Sequence, residues 1–531
     1  MRSAGPSTAI GAGAGRPTHL LAFATIAVVT IAARLPFLLR ADRFFDSDEA
    51  VEGLMARHVL LGEFPAFLWG QRYKGVPEVY LSSAVFRAAG SSVVALKAVT
   101  LACFVVFLCL NFRLVERVCS RSIAWIATAF FIAGPPSLVL WTLSGSAEIV
   151  MTLACGAVLL LAVDGWATSS SPRALVLAGV ALGLGLWVQQ YILYYVVALA
   201  IAAALKTPGW RETSRRLLRE RVPGWLRAVL IVLAAVAAFY VLLGLTAFFT
   251  SGVDVRVAGI RVTATHPQKM WWIAGALFVL IAGASAVAVF RGQLAWPAIG
   301  LFAGYAPALA GRVSNHGLGA PIARMDLAAL REALPDITGM VLPMVFGFRD
   351  PAGHATVFPS AGIVLVLLVA CSCWYAWRRG STPFFHLLLI VAPAMFLVSG
   401  SYIDAQSYRY LMPMYASLPI VYAIGIDGVR RASPAGGAAL LIVVLLIFAA
   451  QQVSWYRRLE PDLQSPAIIA CLDRAGVHAA RASYWLSYKL TFLTSERIIV
   501  APTDGVDRYT PYSTLARSSG SIDAAACHQS R

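Results

Sequence analysis

Apolar residues in this chain come in long unbroken runs separated by polar turns, and about thirteen runs are long enough to cross a membrane as helices. They cover 19–39, 93–112, 122–142, 147–164, 174–188, 190–205, 228–249, 271–290, 294–310, 360–377, 384–400, 411–428 and 435–453. The runs do not alternate apolar with polar positions as barrel strands do. The pattern predicts an all-α polytopic membrane protein. Polar stretches of length remain at 1–18, 40–92, 311–359 and 455–531. The first is rich in Gly, Ala, Ser and Pro and reads as a disordered tail. The last reads helix (466–475), strand (479–484), helix (485–492), strand (496–501), a small α/β domain. The division expected is therefore a tail (1–18), a membrane domain (19–454) and a C-terminal domain (455–531). No internal repeat is visible.

Composition agrees: 59% of residues are hydrophobic, 13% are charged, and mean hydropathy is +0.73. A soluble domain carries about 25% charged residues, and disorder demands low hydrophobicity, so both classes are excluded. The net charge of +17 is read as a topology signal rather than a nucleic-acid surface. Runs 174–188 and 190–205 meet at Trp187-Val188-Gln189-Gln190-Tyr191 with almost no loop between them. The basic turns Arg378-Arg379 and Arg430-Arg431 and the basic 206–227 loop fall on one side only if this pair crosses twice. The N-terminus is then cytoplasmic, and 40–92, 311–359 and 455–531 face outside. Ala32-Ala33 could end a signal peptide, but the apolar run continues through Leu35-Pro36-Phe37-Leu38-Leu39. The eight cysteines form no CxxC pair. Cys471 and Cys527 are the only two in 455–531 and could bridge in an oxidising compartment, although Cys471 on an apolar helix face could equally be free.

The first outside loop carries the chemistry. Asp46, Asp48 and Glu49 fall within four positions, directly after the first span. Crowded carboxylates repel, so such a group holds a cation, a proton or a cationic partner, unless it is an ordinary solvated acidic loop. Helical spacing from Ser47 to Leu61 predicts an interfacial helix, broken at Gly62-Glu63-Phe64-Pro65. A cationic and aromatic stretch follows (Arg72, Tyr73, Lys74) around Glu78, and then a second amphipathic helix to Ala89-Gly90.

Asp48-Glu49, the Gly-Leu-Met-Ala helix with its Leu-Gly-Glu-Phe-Pro turn, and Gly75 to Leu81 make the chain resemble the C superfamily of membrane glycosyltransferases. The likeness is to enzymes of the protein O-mannosyltransferase and aminoarabinose-transferase kind, and it extends over about residues 20–450. One departure stands out: where aminoarabinose-transferase-like enzymes carry Lys-Pro-Pro, this chain reads Gly75-Val76-Pro77-Glu78.

The resemblance implies a polyprenyl-phosphate sugar donor, an acceptor that is a lipid, glycan or protein, and a catalytic aspartate in the first loop. Asp48 is then the general base, with Asp46 and Glu49 orienting it. Glu148, in Ser144-Gly145-Ser146-Ala147-Glu148, is either the second acidic residue such enzymes carry or a helix-capping charge. Arg409 in Arg409-Tyr410-Leu411-Met412-Pro413 is expected at the donor phosphate with Tyr408, Arg72 and Lys74; the bland alternative is a snorkelling interfacial arginine. Glu78, Arg34, Gln189 and Gln190 are expected around the substrate loop, Arg34 with Asp48 or Glu49 as partner. No cofactor is certain; a divalent metal, if one binds, is expected at Asp48 and Glu148. The function expected is glycosyl transfer on the outer face of a bacterial inner membrane. The rival from another class is a transporter or lipid flippase, which would need polar groups through the mid-membrane.

Overall fold

The computed structural model describes residues 16–206, 209–257, 260–311, 325–356, 361–379, 384–518 and 522–527. Most of the expected tail therefore lies outside the described residues, and Arg16 already opens helix α1 (Arg16–Leu38). A short 3-10 turn leads to α2 (Ser47–Leu60) and α3 (Pro77–Ala89), which lie in the first loop. Then come α4 (Val93–Val118), α5 (Arg121–Ala133), α6 (Pro136–Trp141), α7 (Glu148–Ser169), α8 (Pro172–Val188) and α9 (Ile192–Lys206). A basic helix α10 (Trp210–Arg221) precedes α11 (Gly224–Phe249), an antiparallel hairpin of β1 (Val253–Val257) and β2 (Ile260–Ala264), α12 (Pro267–Phe290) and α13 (Ala295–Ala310). The second long loop holds α14 (Leu327–Asp336) and α15 (Leu342–Val345), joined by a π-helical turn. The membrane part ends with α16 (Ala361–Arg379), α17 (Phe384–Ser399), a 3-10 helix over Ala405–Ala416, α18 (Leu418–Ala432) and α19 (Pro434–Arg457).

Every apolar run is helical, but not every run is one straight span. Among the described residues seven helices are long and apolar enough to cross a membrane, and an eighth if the 3-10 segment and α18, bent by 50°, count as one. Four more apolar helices, α5, α8, α9 and α17, are shorter. The chain is an integral membrane protein.

Helices α8 and α13 pack by backbone against backbone. A Cβ on Gly179 would stand 2.1 Å from the Pro297 carbonyl, and one on Gly304 2.3 Å from the Val180 carbonyl. With no hydrophobic effect between helices in lipid, such close approach supplies the attraction.

The C-terminal stretch forms a three-stranded parallel sheet in the order β4–β3–β5, from β3 (Ala479–Ala482), β4 (Ile499–Pro502) and β5 (Ile522–Asp523). Around it lie α20 (Gln464–Arg474), α21 (Tyr484–Leu493) and α22 (Thr510–Ser518). Cys471 and Cys527 are bridged, with Cα atoms 5.8 Å apart. This unit packs directly on the first loop. Phe492 sits against Gly53 of α2, where a Cβ would come within 2.5 Å of its ring. Trp69 stacks on Tyr509 with centroids 3.9 Å apart. His58 bonds Glu63 at 2.9 Å through Nδ1, and Glu496 at 3.0 Å and the Tyr512 phenol at 3.1 Å through Nε2.

The third run is broken by its prolines: α5 stops at Ala133 and α6 restarts at Pro136. Pro135 and Pro136 have no N–H for the carbonyls of Phe131 and Ile132, four residues back. Arg34 supplies the missing donors. Its Nη1 reaches the Ile132 carbonyl at 2.6 Å, Nη2 that of Phe131 at 3.2 Å, and Nε the Thr142 hydroxyl at 3.0 Å. Arg34 is fully buried and braces a broken helix instead of meeting Asp48 or Glu49, which corrects its expected place in the substrate loop. Arg34→Met should leave two buried carbonyls unpaired at about 1–3 kcal/mol each. A thermal midpoint several degrees lower in detergent is expected, with activity per folded molecule preserved; an unchanged midpoint would remove this role.

Candidate active site

A cavity of about 1600 Å³ opens among stretches 43–49, 68–74, 140–149, 189–191, 350–354, 403–410, 455–460 and 485–508. The first loop, the start of α7, the α8–α9 turn, the 3-10 segment, the end of α19 and the C-terminal unit all reach it. Six separate parts of the chain therefore meet at one place. The α8–α9 turn is held there by the Trp187 carbonyl, which accepts from Gly75 N at 2.8 Å, and by the Trp187 indole, which donates to the Ala66 carbonyl at 2.8 Å.

Helix α2 distributes the first-loop carboxylates by its pitch. Asp46 is the N-cap, its Oδ1 accepting from Glu49 N at 3.0 Å, the stabilising use of an acid at a helix start. Glu49 turns inward and is buried. Its Oε2 accepts from Lys97 Nζ of α4 at 2.5 Å and from Gly145 N at 2.7 Å. One turn further, Glu52 is buried and accepts at Oε1 from Lys74 Nζ at 2.7 Å and from Ser146 Oγ at 2.6 Å. Lys74 also pairs with Glu148 at 3.0 Å, and the Ser146 hydroxyl, with one hydrogen shared between the two acids, lies in contact with Glu148 as well. Lys74 thus joins the first loop to the Ser144–Glu148 turn, and its ammonium is taken up by carboxylates.

Asp48 lies between these buried residues and points into the cavity, about one third exposed. Its Oδ1 accepts from the Tyr484 phenol and faces Arg508 Nη2 at 3.8 Å. Among the described residues no donor reaches Oδ2. Arg409 also lines the cavity, over the Tyr410 ring at 5.0 Å and donating to its phenol oxygen at 3.2 Å. Among the described residues no carboxylate pairs with it. Tyr408 is buried beside it, and Gln189 is buried at the cavity wall. Arg72, Gln190 and Glu78 do not line the cavity; Arg72 and Gln190 face outward, and Glu78 is buried behind Lys74.

The carboxylates that converge closely enough for a metal are Glu52, Glu78 and Glu148, with ligand oxygens within 4.8 Å of one another. Asp48 is not among them. Three oxygen donors suit a hard cation, yet Lys74 already brings a positive charge to two of them. Burial, then Glu52, pushes the Glu78 carboxyl well above the usual carboxylate range. Both its oxygens are buried without a hydrogen-bond partner among the described residues. Burial opposes the charge on Lys74, but Glu148, Glu52 and Glu78 outweigh it and raise the ammonium well above its ordinary value.

Sequence reasoning missed Tyr484, Arg508 and Lys97. Lys97 was visible as a lone cation in an apolar run beside an acidic loop. Tyr484 and Arg508 carry no such signal, because they sit in a polar stretch more than 400 residues from Asp48.

By sequence, no family model and no characterised protein matches the chain. Solved structures are similar to it in outline. The Archaeoglobus fulgidus oligosaccharyltransferase complex with Zn and sulfate is 13% identical at a TM-score of 0.48, over 94% of this chain and 67% of that one. ArnT from Cupriavidus metallidurans in the apo state is 11% identical at a TM-score of 0.49, over 96% of this chain and 90% of that one. The same protein bound to undecaprenyl phosphate is 14% identical at a TM-score of 0.36. At such distances these likenesses assign no residue of this chain a role.

Burial pushes the Glu49 carboxyl up to about 7 from 4.5 against the pull of Lys97, with Asp46 adding to the rise. A carboxyl raised on folding stabilises fully below its unfolded value, and that stability is lost as pH rises through the folded one. The thermal midpoint should therefore fall between about pH 4.5 and pH 7, and Glu49→Gln should flatten this slope. The same slope in both proteins would show that Glu49 titrates as an ordinary surface carboxyl.

Proposed function

We propose that this chain is a membrane glycosyltransferase that moves a sugar from a polyprenyl-phosphate donor to a hydroxyl on a lipid, glycan or protein acceptor. The observation that carries the reading is the meeting, in one large cavity at the ends of apolar helices, of Asp48 and Arg409, the first with one carboxylate oxygen unengaged and the second with no paired carboxylate among the described residues. A lipid donor needs such a site, where its chain stays among the helices while its phosphate meets a fixed cation. A soluble enzyme's cleft would have no use for the apolar surroundings.

In this reading Asp48 Oδ2 accepts the proton of the acceptor hydroxyl as that oxygen bonds to the anomeric carbon. The bond from that carbon to the phosphate oxygen breaks, and its electron pair leaves on the phosphate. Arg409, a planar fork suited to phosphate, balances the charge that develops. Glu49 and Glu52 take no part in the proton transfer; they hold α2 in place. The cavity opens on the non-cytoplasmic face of a bacterial inner membrane, with the N-terminus cytoplasmic, thirteen crossings and the C-terminal unit outside. The positive-inside pattern and the Cys471–Cys527 bridge, which needs an oxidising compartment, support this orientation.

The test is transfer of radiolabel from a polyprenyl-phosphate sugar by purified protein in lipid nanodiscs supplied with envelope extract. Asp48→Asn should lower kcat by about 10²–10⁴-fold with the thermal midpoint unchanged, and full activity would remove Asp48 from the chemistry. Arg409→Ala should raise the donor KM more than Arg256→Ala does, Arg256 being an exposed residue of the β1–β2 hairpin outside the cavity, with Arg409→Lys recovering part of the loss. Equal effects from Arg409→Ala and Arg256→Ala would leave Arg409 an interfacial residue.

A further inference from the structure

The geometry points to Tyr484 and Arg508, from the C-terminal unit, as the positioning residues of Asp48: they fix which carboxylate oxygen faces the substrate. This rests on the proposed role of Asp48 and extends it to a part of the chain that looks separate in sequence.

Three observations support it. First, both contacts fall on the same oxygen. The Tyr484 phenol donates to Asp48 Oδ1, and Arg508 Nη2 stands 3.8 Å from that atom. A carboxylate held at one oxygen cannot rotate freely about its last bond, so Oδ2 is presented to the cavity in a fixed direction, which general-base catalysis requires.

Second, the two partners are themselves held. Arg508 Nε donates to the Tyr484 oxygen at 3.3 Å, and the guanidinium lies 5.4 Å from the Tyr484 ring centroid. Arg508 N donates to the Tyr488 phenol at 2.7 Å. Tyr484 N donates to Asp504 at 2.8 Å. The Arg508 backbone runs against Gly70 at a left-handed turn, where a Cβ would lie 3.2 Å from the Arg508 Cα. Its neighbour Tyr509 stacks on Trp69.

Third, the docking has its own adhesion and does not need the Asp48 contact to persist. Phe492 packs against α2, Lys489 N donates to the Ser47 hydroxyl at 3.3 Å, and His58 bonds Glu496 and Tyr512. Arg508 lines the cavity and Tyr484 reaches Asp48 from behind it, yet neither is needed to keep the unit in place.

The experiment combines kinetics with a spectroscopic probe in the full-length protein. Tyr484→Phe keeps the ring and removes only the hydroxyl. It should lower kcat roughly 10–100-fold, as loss of a supporting partner does, with donor KM within twofold and the thermal midpoint unchanged. In an Asp48→Asn background the same substitution should cause no further loss, because residues acting as one unit are not additive. Arg508→Lys should recover part of the activity that Arg508→Ala loses. Separately, 3-fluorotyrosine at 484 should show a ¹⁹F resonance that moves on Asp48→Asn, whatever the activity.

A resonance that does not move means the contact is absent and overturns the inference. So does a moving resonance with Tyr484→Phe at full kcat, or with an equal loss in the wild-type and Asp48→Asn backgrounds. If Asp48→Asn itself keeps full activity while the resonance moves, the proposed base is wrong and the positioning role falls with it, leaving a structural contact only.

Discussion

A buried carboxylate must be paired, and in this protein that requirement places the whole first loop. Ionised acids taken out of water cost several kcal/mol each unless a cation and hydrogen-bond donors meet them. Glu49 is met by Lys97 from α4 and the Gly145 amide, and Glu52 by Lys74 and Ser146. These partners come from the second long apolar helix, from the far end of the loop and from the turn before α7. Satisfying them ties three distant stretches to one face of α2. The direction of Asp48 follows, since a residue one step before Glu49 on a helix is rotated about 100° away from it. The residue aimed at the cavity is aimed there because its neighbours are locked elsewhere.

The same logic separates what could be read from the chain from what could not. Apolar runs of sufficient length have few alternatives to helix in lipid, because every backbone polar group needs an internal partner. The helices were therefore legible in nearly every case. Where local chemistry breaks this rule the reading was too simple: Pro135 and Pro136 end a helix, and the stretch around Arg409 is a bent 3-10 segment instead of the start of a straight span. Asp48, Glu148 and Arg409 stood out because charge at the edge of an apolar run is conspicuous, and the structure brings all three to one cavity.

The partners of these residues were harder to see. Arg34 was noticed as a buried cation, but a cation can be satisfied by backbone carbonyls as well as by acids, and only the broken helix shows which. Tyr484 and Arg508 belong to a polar stretch with ordinary composition. Their position depends on how a small sheet docks on α2, and docking is set by surface shape, with Phe492 against Gly53 and Trp69 against Tyr509, which leaves no periodic trace in a sequence.

The bridge between Cys471 and Cys527 has a consequence for time as well as for stability. It closes a loop of 56 positions that contains both Tyr484 and Arg508. A ribosome makes the Asp48 helix more than 400 residues before it makes these. Every helix of the membrane part is threaded before the last walls of the cavity exist. A chain caught partway through insertion can hold the cavity's acids and cations in their bilayer-facing framework, but not the wall that the C-terminal unit contributes. Completion of that wall waits for residues 464–527 to emerge, fold and be oxidised, so the maturation of this protein is ordered by its own topology.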